Sequence, residues 1–285
     1  MAIAGSGLRK WTGGLRPALS RWTVITSTGI RMELSKRRTK ILIYLAWTPL
    51  LYYGLMFLGV AWLTQHESKA TIAVASEVLG KIFNAALVQE ILRNPAEMQG
   101  GIWTMLFYSY YHIPQAILTG GIVGIVGSGL IAQDQKGNAF LLYFSRPISR
   151  SEYVFGKLGI IAFFVCCVTL FPAIMLYIVS IGMSQGVSII LPTCGVLFKI
   201  ALASIVIIVP SGLTMLLLSS LFQQNRFPFV IWFTIWVMGF FTFGMLSSMP
   251  NEHLNDAAIL FSPQVNVDIV LQHIFDVQGA FGHYA

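Results

Sequence analysis

Charge is scarce in this chain. Only 10% of its residues are Asp, Glu, Lys or Arg, while 56% are hydrophobic, and mean hydropathy is +0.73. A soluble domain carries about 25% charged residues, so the shortage makes the bilayer the solvent. Cysteine is also rare: Cys166, Cys167 and Cys194 provide neither a disulfide framework nor metal-ligand spacing. GxxxxGK[ST], HExxH and GxSxG motifs are all absent, which removes P-loop nucleotide binding and the common hydrolase signatures. His273 and His283 flank Asp276, but scattered histidines produce such groupings by chance. The reading there is a solvated tail and no metal site. Ionisable residues are nearly missing from the deep parts of the apolar runs, which argues against a proton- or ion-driven carrier. A cleavable leader is not expected, because the first apolar run starts near Ile41 and is too long for a signal core.

What is present is an all-α pattern, a polytopic helix bundle with about five spans. The apolar runs are 41–63, 102–132, 158–183, 195–222 and 228–249, each long enough for a hydrocarbon core of ~30 Å. Pro49 requires neighbouring helices to satisfy its freed carbonyl. Pro114 kinks the second run or splits off an outer piece, Pro172 lies inside the third run, and Pro210-Ser211-Gly212 marks a kink in the fourth. Tyr108, Tyr110, Tyr111 and His112 read as an outer aromatic belt. Lys199 is placed to snorkel to the interface. Gly120, Gly124, Ser128 and Ala132 recur every fourth residue, a small-residue face for close helix packing. Its partner is either another span of the chain or a second copy.

Three segments frame the spans. Residues 1–40 form a basic tail whose section from Arg21 to Lys40 suits a helix in the headgroup layer. Between the first two spans, residues 70–93 form an external amphipathic helix. Residues 250–285 contain acids but no Lys or Arg, and do not span. With the N-terminus inside, fourteen Lys and Arg fall on the cytoplasmic side and four outside, which orients the chain. The +7 net charge therefore reflects topology and not nucleic-acid binding.

The most polar interior stretch is 133–157, QDQKGNAFLLYFSRPISRSEYVFGK. Gly137 breaks the preceding helix. Arg146-Pro147 ends the apolar run that follows. Ser149 caps a new helix, with Glu152 reaching back to complete a capping box. The matching elements are Asp134, Gly137, Leu141-Leu142, Ser145-Arg146-Pro147, Ser149-Arg150, Tyr153 and Gly156-Lys157. In this order they resemble the intracellular loop of type 2 ABC exporter permeases (ABC-2-type transmembrane subunits). Gln133, Gln135 and Asn138 stand where many relatives carry an acidic pair and Gly-Thr.

The resemblance implies that Asp134, Gly137, Arg146, Pro147, Arg150, Glu152 and Tyr153 couple the bundle to a cytoplasmic ABC ATPase. It implies a membrane subunit of an exporter in the cell (inner) membrane, paired with a second copy of itself or a related permease. ATP and Mg would sit on the partner ATPase, with no cofactor on this chain. The family usually has six spans, and the sixth is not seen before residue 285. The low internal charge favours a lipid-like, amphipathic or peptide cargo. Two alternatives stay open: a multi-copper-enzyme-maturation type ABC permease, and a non-transporting membrane scaffold or sensor bundle.

Overall fold

Pro49 and Pro172 each lie just past a break between consecutive helices. The computed structural model describes residues 21–65, 95–112, 116–140, 148–183, 190–247, 259 and 262–277. Helix α1 spans Arg21–Ser35, α2 Arg37–Ala46 and α3 Thr48–Gln65. Pro49 has no N–H for the Leu45 carbonyl. The Thr48 hydroxyl donates to that carbonyl instead, at 2.7 Å. A side chain from the same turn thus does what a neighbouring helix was expected to do. The chain bends again at Lys36, so the Arg21–Lys40 helix of the sequence reading is two helices, and the first candidate span begins at Arg37.

Helix α4 covers Pro95–Tyr110 and α5 Ala116–Gly127, so the second apolar run is two helices on either side of Pro114. After the short α6 (Ala132–Lys136), α7 runs over Arg150–Val168 and α8 over Leu170–Met183. Pro172 lacks the N–H that would serve the Val168 carbonyl, and α7 stops at that residue. The two proline breaks meet: the Trp47 indole donates to the Cys167 carbonyl at 3.1 Å. Helix α9, Ile190–Leu221, continues unbroken through Pro210. Helices α10 (Arg226–Ser247) and α11 (Pro263–Phe275) complete the order. Among the described residues there is no strand.

Five helical stretches are long and apolar enough to cross a membrane: Arg37–Gly59, Ala116–Lys136, Arg150–Gly182, Thr193–Leu221 and Arg226–Leu246. Their burial separates centre from edge. The second is 61% buried, whereas the first and last bury 17% and 11%. The outer face of α10 carries exposed Phe233, Met238, Phe240, Phe241 and Met245, an apolar patch that a water-soluble monomer rarely shows. Helix α7 is central, touching α1, α2, α5, α8 and α9.

The small-residue face of α5 packs within the chain. A Cβ on Gly120 would sit 2.5 Å from Trp236 Nε1, and one on Gly124 3.1 Å from the Trp232 ring. The Trp232 indole donates to the Gly120 carbonyl at 2.9 Å. Aromatic rings of α10, and not a second backbone, fill the space above the glycines. Ser128 turns toward α9, where its carbonyl accepts from the Ser219 hydroxyl at 3.0 Å.

Three sequence expectations fail here. Tyr108, Tyr110 and Tyr111 are at most 1% exposed, so they are core and not an interfacial belt. Tyr111 bonds the Ser204 hydroxyl at 3.0 Å, and Tyr110 stacks edge-on against Tyr53. Residues 262–277 likewise form a docked helix and not a loose tail, although His273 and Asp276 are themselves exposed. Ser262 caps α11, Pro263 opens it and Asp276 closes it in the left-handed region. Leu271, Phe275 and Val277 are buried, and the helix packs on α4, α9 and α10. Lys199 does not snorkel outward: its ammonium donates to the Phe275 carbonyl at 3.3 Å, where a cation meets the negative end of α11. The expected amphipathic helix at 70–93, the tail 1–20 and His283 lie outside the described residues.

Candidate functional site: the loop junction and its docked helix

The polar stretch is assembled from local signals. Helix α6 receives its N-terminal cap from a different helix. The Ser219 hydroxyl of α9 accepts from the N–H groups of Ile131 and Ala132, both at 3.1 Å. Gln135 holds the same contact from its other end, donating to the Ser220 carbonyl at 2.6 Å. The helix then stops at Lys136. Gly137 does not need a glycine's freedom, because its φ is −87°. The left-handed residue is Asn138, at φ 52°, and asparagine tolerates that region better than most side chains. The helix ends at its cap Gly137, where the sequence placed the break, but the left-handed turn is made by the next residue, Asn138. That turn uses a residue that departs from the family pattern.

Helix α7 starts at Arg150 with both halves of the capping box. The Glu152 N–H donates to Ser149 Oγ at 3.2 Å, and the Ser149 N–H donates to Glu152 Oε2 at 2.7 Å. Arg150 is exposed, at the start of the helix and free of the core.

Asp134 and Tyr153 are brought together. The Tyr153 hydroxyl donates to Asp134 Oδ2 at 2.7 Å. Lys157, one turn further along α7, reaches the same oxygen at 2.6 Å and lies 5.4 Å from the centre of the Tyr153 ring. The Phe140 ring packs edge-on against Tyr153 at 5.5 Å. Lys157 is only 6% exposed. The sequence names it as the residue opening a span; its role as the buried counter-ion of Asp134 is visible only across the loop. Arg146 and Pro147 lie outside the described residues.

The other side of α7 receives α1. A Cβ on Gly156 would sit 2.9 Å from Ile25 Cβ and 3.2 Å from the Trp22 carbonyl. One on Gly159 would meet Thr26 Oγ1 at 2.9 Å. The Thr26 hydroxyl donates to the Gly156 carbonyl at 2.9 Å. The two helices approach this closely because two glycines remove the side chains between them. Gly159 is a site residue that sequence reasoning did not single out, and Gly156 and Lys157 entered it only as the end of the motif, with no contact assigned. The available signal was glycine at positions 156 and 159, three apart, which is one face of a helix.

A second polar cluster lies where α4 meets α11. Asp268 accepts from the Tyr108 hydroxyl at 3.0 Å through both carboxylate oxygens. His112 Nδ1 lies 2.6 Å from Oδ1, and Gln272 donates to Oδ2 at 3.1 Å. His112 is thus a partner of α11 and not a surface anchor. Nothing in the local sequence pairs residues 156 positions apart. Among the described residues no group of His, Cys, Asp and Glu could hold a metal.

Comparison with known proteins returns one family. A family model described as ABC-2 family transporter protein matches residues 30–282. No curated protein and no solved structure matches.

Proposed function

The chain belongs to the ABC-2 transporter family, and from that premise we propose that it is the permease subunit of an ATP-driven exporter. It is non-catalytic, and a separate cytoplasmic ATPase carries ATP and Mg. Two copies, or this chain and a related permease, complete the transporter. The domain plan is an N-terminal tail and interfacial helix (1–40), a membrane domain (41–249) whose loop 133–157 docks on the ATPase, and an external C-terminal segment (250–285). The cargo is lipid-like, amphipathic or peptide.

One observation carries the reading. Asp134 ties α6 to α7 through Tyr153 and Lys157, and α7 is fastened to α1 by the Thr26–Gly156 bond. A push on the loop is therefore delivered to a span and to the N-terminal helix together, as a lever requires. Arg150 is exposed at the end of that lever.

The test reverses charge at the loop. An isolated surface ion pair is worth only ~0–1 kcal/mol, so one change is mild. Arg146→Glu with Arg150→Glu turns attraction to an acidic groove into repulsion. The expected product is inserted and folded but no longer co-purifies with its ATPase. Unchanged co-purification and turnover would remove the loop from the coupling role.

Orientation is tested separately, in a background lacking Cys166, Cys167 and Cys194. Arg150→Cys and Asn266→Cys both replace exposed residues. In intact cells an impermeant thiol reagent is expected to label only position 266, since the N-terminus is proposed to be cytoplasmic. Ser262 is unsuitable as a probe because it is a fully buried helix cap. Labelling at 150 alone would reverse the topology.

A further inference from the structure

The bend between α1 and α2 sorts its charges by sign. Arg31, Lys36, Arg37, Arg38 and Lys40 are all exposed. Glu33, the one acid between Arg21 and Lys40, is only 6% exposed and pairs with Lys36. Among the described residues the other four cations are in no ion pair. Four positive charges thus face outward around one bend. The sequence shows five cations and an acid there; the inward turn of the acid is a property of the packing.

The fold also fixes their depth. Arg37 opens the first membrane-crossing stretch, and Arg37, Arg38 and Lys40 surround the first turn of α2 with Thr39 buried on its inner side. One turn further on, Ile41, Tyr44 and Leu45 are 54%, 75% and 50% exposed. Spacings of three and four residues place them on the same face as the cations. That face passes from cationic to apolar over about 6 Å, at ~1.5 Å per residue. A headgroup layer is about 5–8 Å deep on each side of the hydrocarbon, so the step matches the one from lipid phosphates to lipid chains.

We infer that the α1–α2 bend is a binding surface for anionic phospholipid. Arg31, Arg37, Arg38 and Lys40 hold the headgroup phosphates, and the acyl chains lie along Ile41, Tyr44 and Leu45. Clusters of four or more Lys and Arg immediately beside a span attract anionic headgroups. A protein in the aqueous phase would meet the cations but leave the apolar half of the face uncovered. A second copy docked by two-fold symmetry would set this patch on itself and bring like charges together. The consequence falls on α1, whose other face is fastened to α7 at Gly156 and Gly159. The helix is therefore held between the membrane surface and a span. That this grip steadies the coupling lever rests on the permease reading; the lipid binding does not.

The experiment reconstitutes the full chain in phosphatidylcholine bilayers. The probes are spin-labelled phosphatidylglycerol and spin-labelled phosphatidylcholine, and the fraction of each that is immobilised on the protein is read by electron spin resonance. The unmodified chain is expected to hold phosphatidylglycerol about fivefold more strongly, roughly what one cation contributes at an anionic surface. In ~1 M salt, where the screening length is about 3 Å, that preference should fall severalfold; this arm needs no variant. Arg31→Gln, Arg37→Gln, Arg38→Gln and Lys40→Gln together should bring the two lipids to near equality. Lys136→Gln, Arg150→Gln and Arg226→Gln remove three exposed cations elsewhere and should leave most of the preference. No preference in the unmodified chain, a preference that survives salt, or equal losses in the two variants would overturn the inference. So would a fourfold variant that keeps the lipid preference and loses its ATPase, because the cations would then belong to that protein. Absence of any ATPase partner would defeat the permease reading alone, since the lipid measurement is made on this chain by itself.

Discussion

Asp134→Ala is expected to destabilise the protein by about 3 kcal/mol, the low end of what removing one partner of a buried ion pair costs. The reason is what remains. Lys157 loses the oxygen 2.6 Å from its ammonium but stays 6% exposed, with the Tyr153 ring face nearby. Tyr153 simultaneously loses its acceptor at 2.7 Å. Among the described residues, the hydrogen bonds that still hold helix α6 to α9 are those of Ser219 and Gln135. The expected readouts are a lower thermal midpoint in detergent and loss of ATPase stimulation. Asp134→Leu combined with Lys157→Met removes both charges and should recover most of the stability, since apolar replacement of a buried pair is often neutral. It should not recover coupling, because the tie between α6 and α7 is gone. If the double variant is as unstable as the single one, the cost does not come from an uncompensated ammonium.

Gly156→Leu is expected to detach α1 from α7. Even the first carbon of the new side chain would fall 2.9 Å from Ile25 Cβ and 3.2 Å from the Trp22 carbonyl. Backbone cannot swing aside as a side-chain tip can. Overpacking of this kind costs about 1–3 kcal/mol, and the Thr26 bond to the Gly156 carbonyl goes with it, about 1 kcal/mol more. Hydrogen exchange should show α1 losing protection while α9 keeps it. Gly182→Leu is the control, because a Cβ at that position would meet nothing within 4 Å, and it should leave exchange and stability unchanged. Protection of α1 that survives Gly156→Leu would mean that the glycine contact is not what holds the helix.

The parts of this protein legible in the sequence are those decided by short stretches of chain. Five spans follow from hydropathy, because each helix must by itself be apolar over the thickness of a membrane. The capping box at Ser149 and Glu152 was readable because its two hydrogen bonds close within three residues. The ordered matches from Asp134 to Lys157 named the family that the comparison then returned.

The tertiary structure alone decided what each side chain meets. Tyr108, Tyr110 and Tyr111 carry composition that suits an interface or a core equally well. Tyr111 and Tyr108 meet α9 and α11, which are supplied about ninety or more residues later, and Tyr110 meets Tyr53 of α3. Asp268 looked like an acid in a solvated tail until Tyr108 and His112 gave it donors. Pro49 announced a missing hydrogen bond, but only the local geometry showed Thr48 answering it. The same holds for Lys157, whose charge is plain in the sequence and whose partner, Asp134, stands across the loop. Hydropathy is a property of each residue summed along a helix, so the chain order carries it. A hydrogen bond or an ion pair needs two groups within about 3 Å, and for residues far apart that distance exists only once the helices have packed.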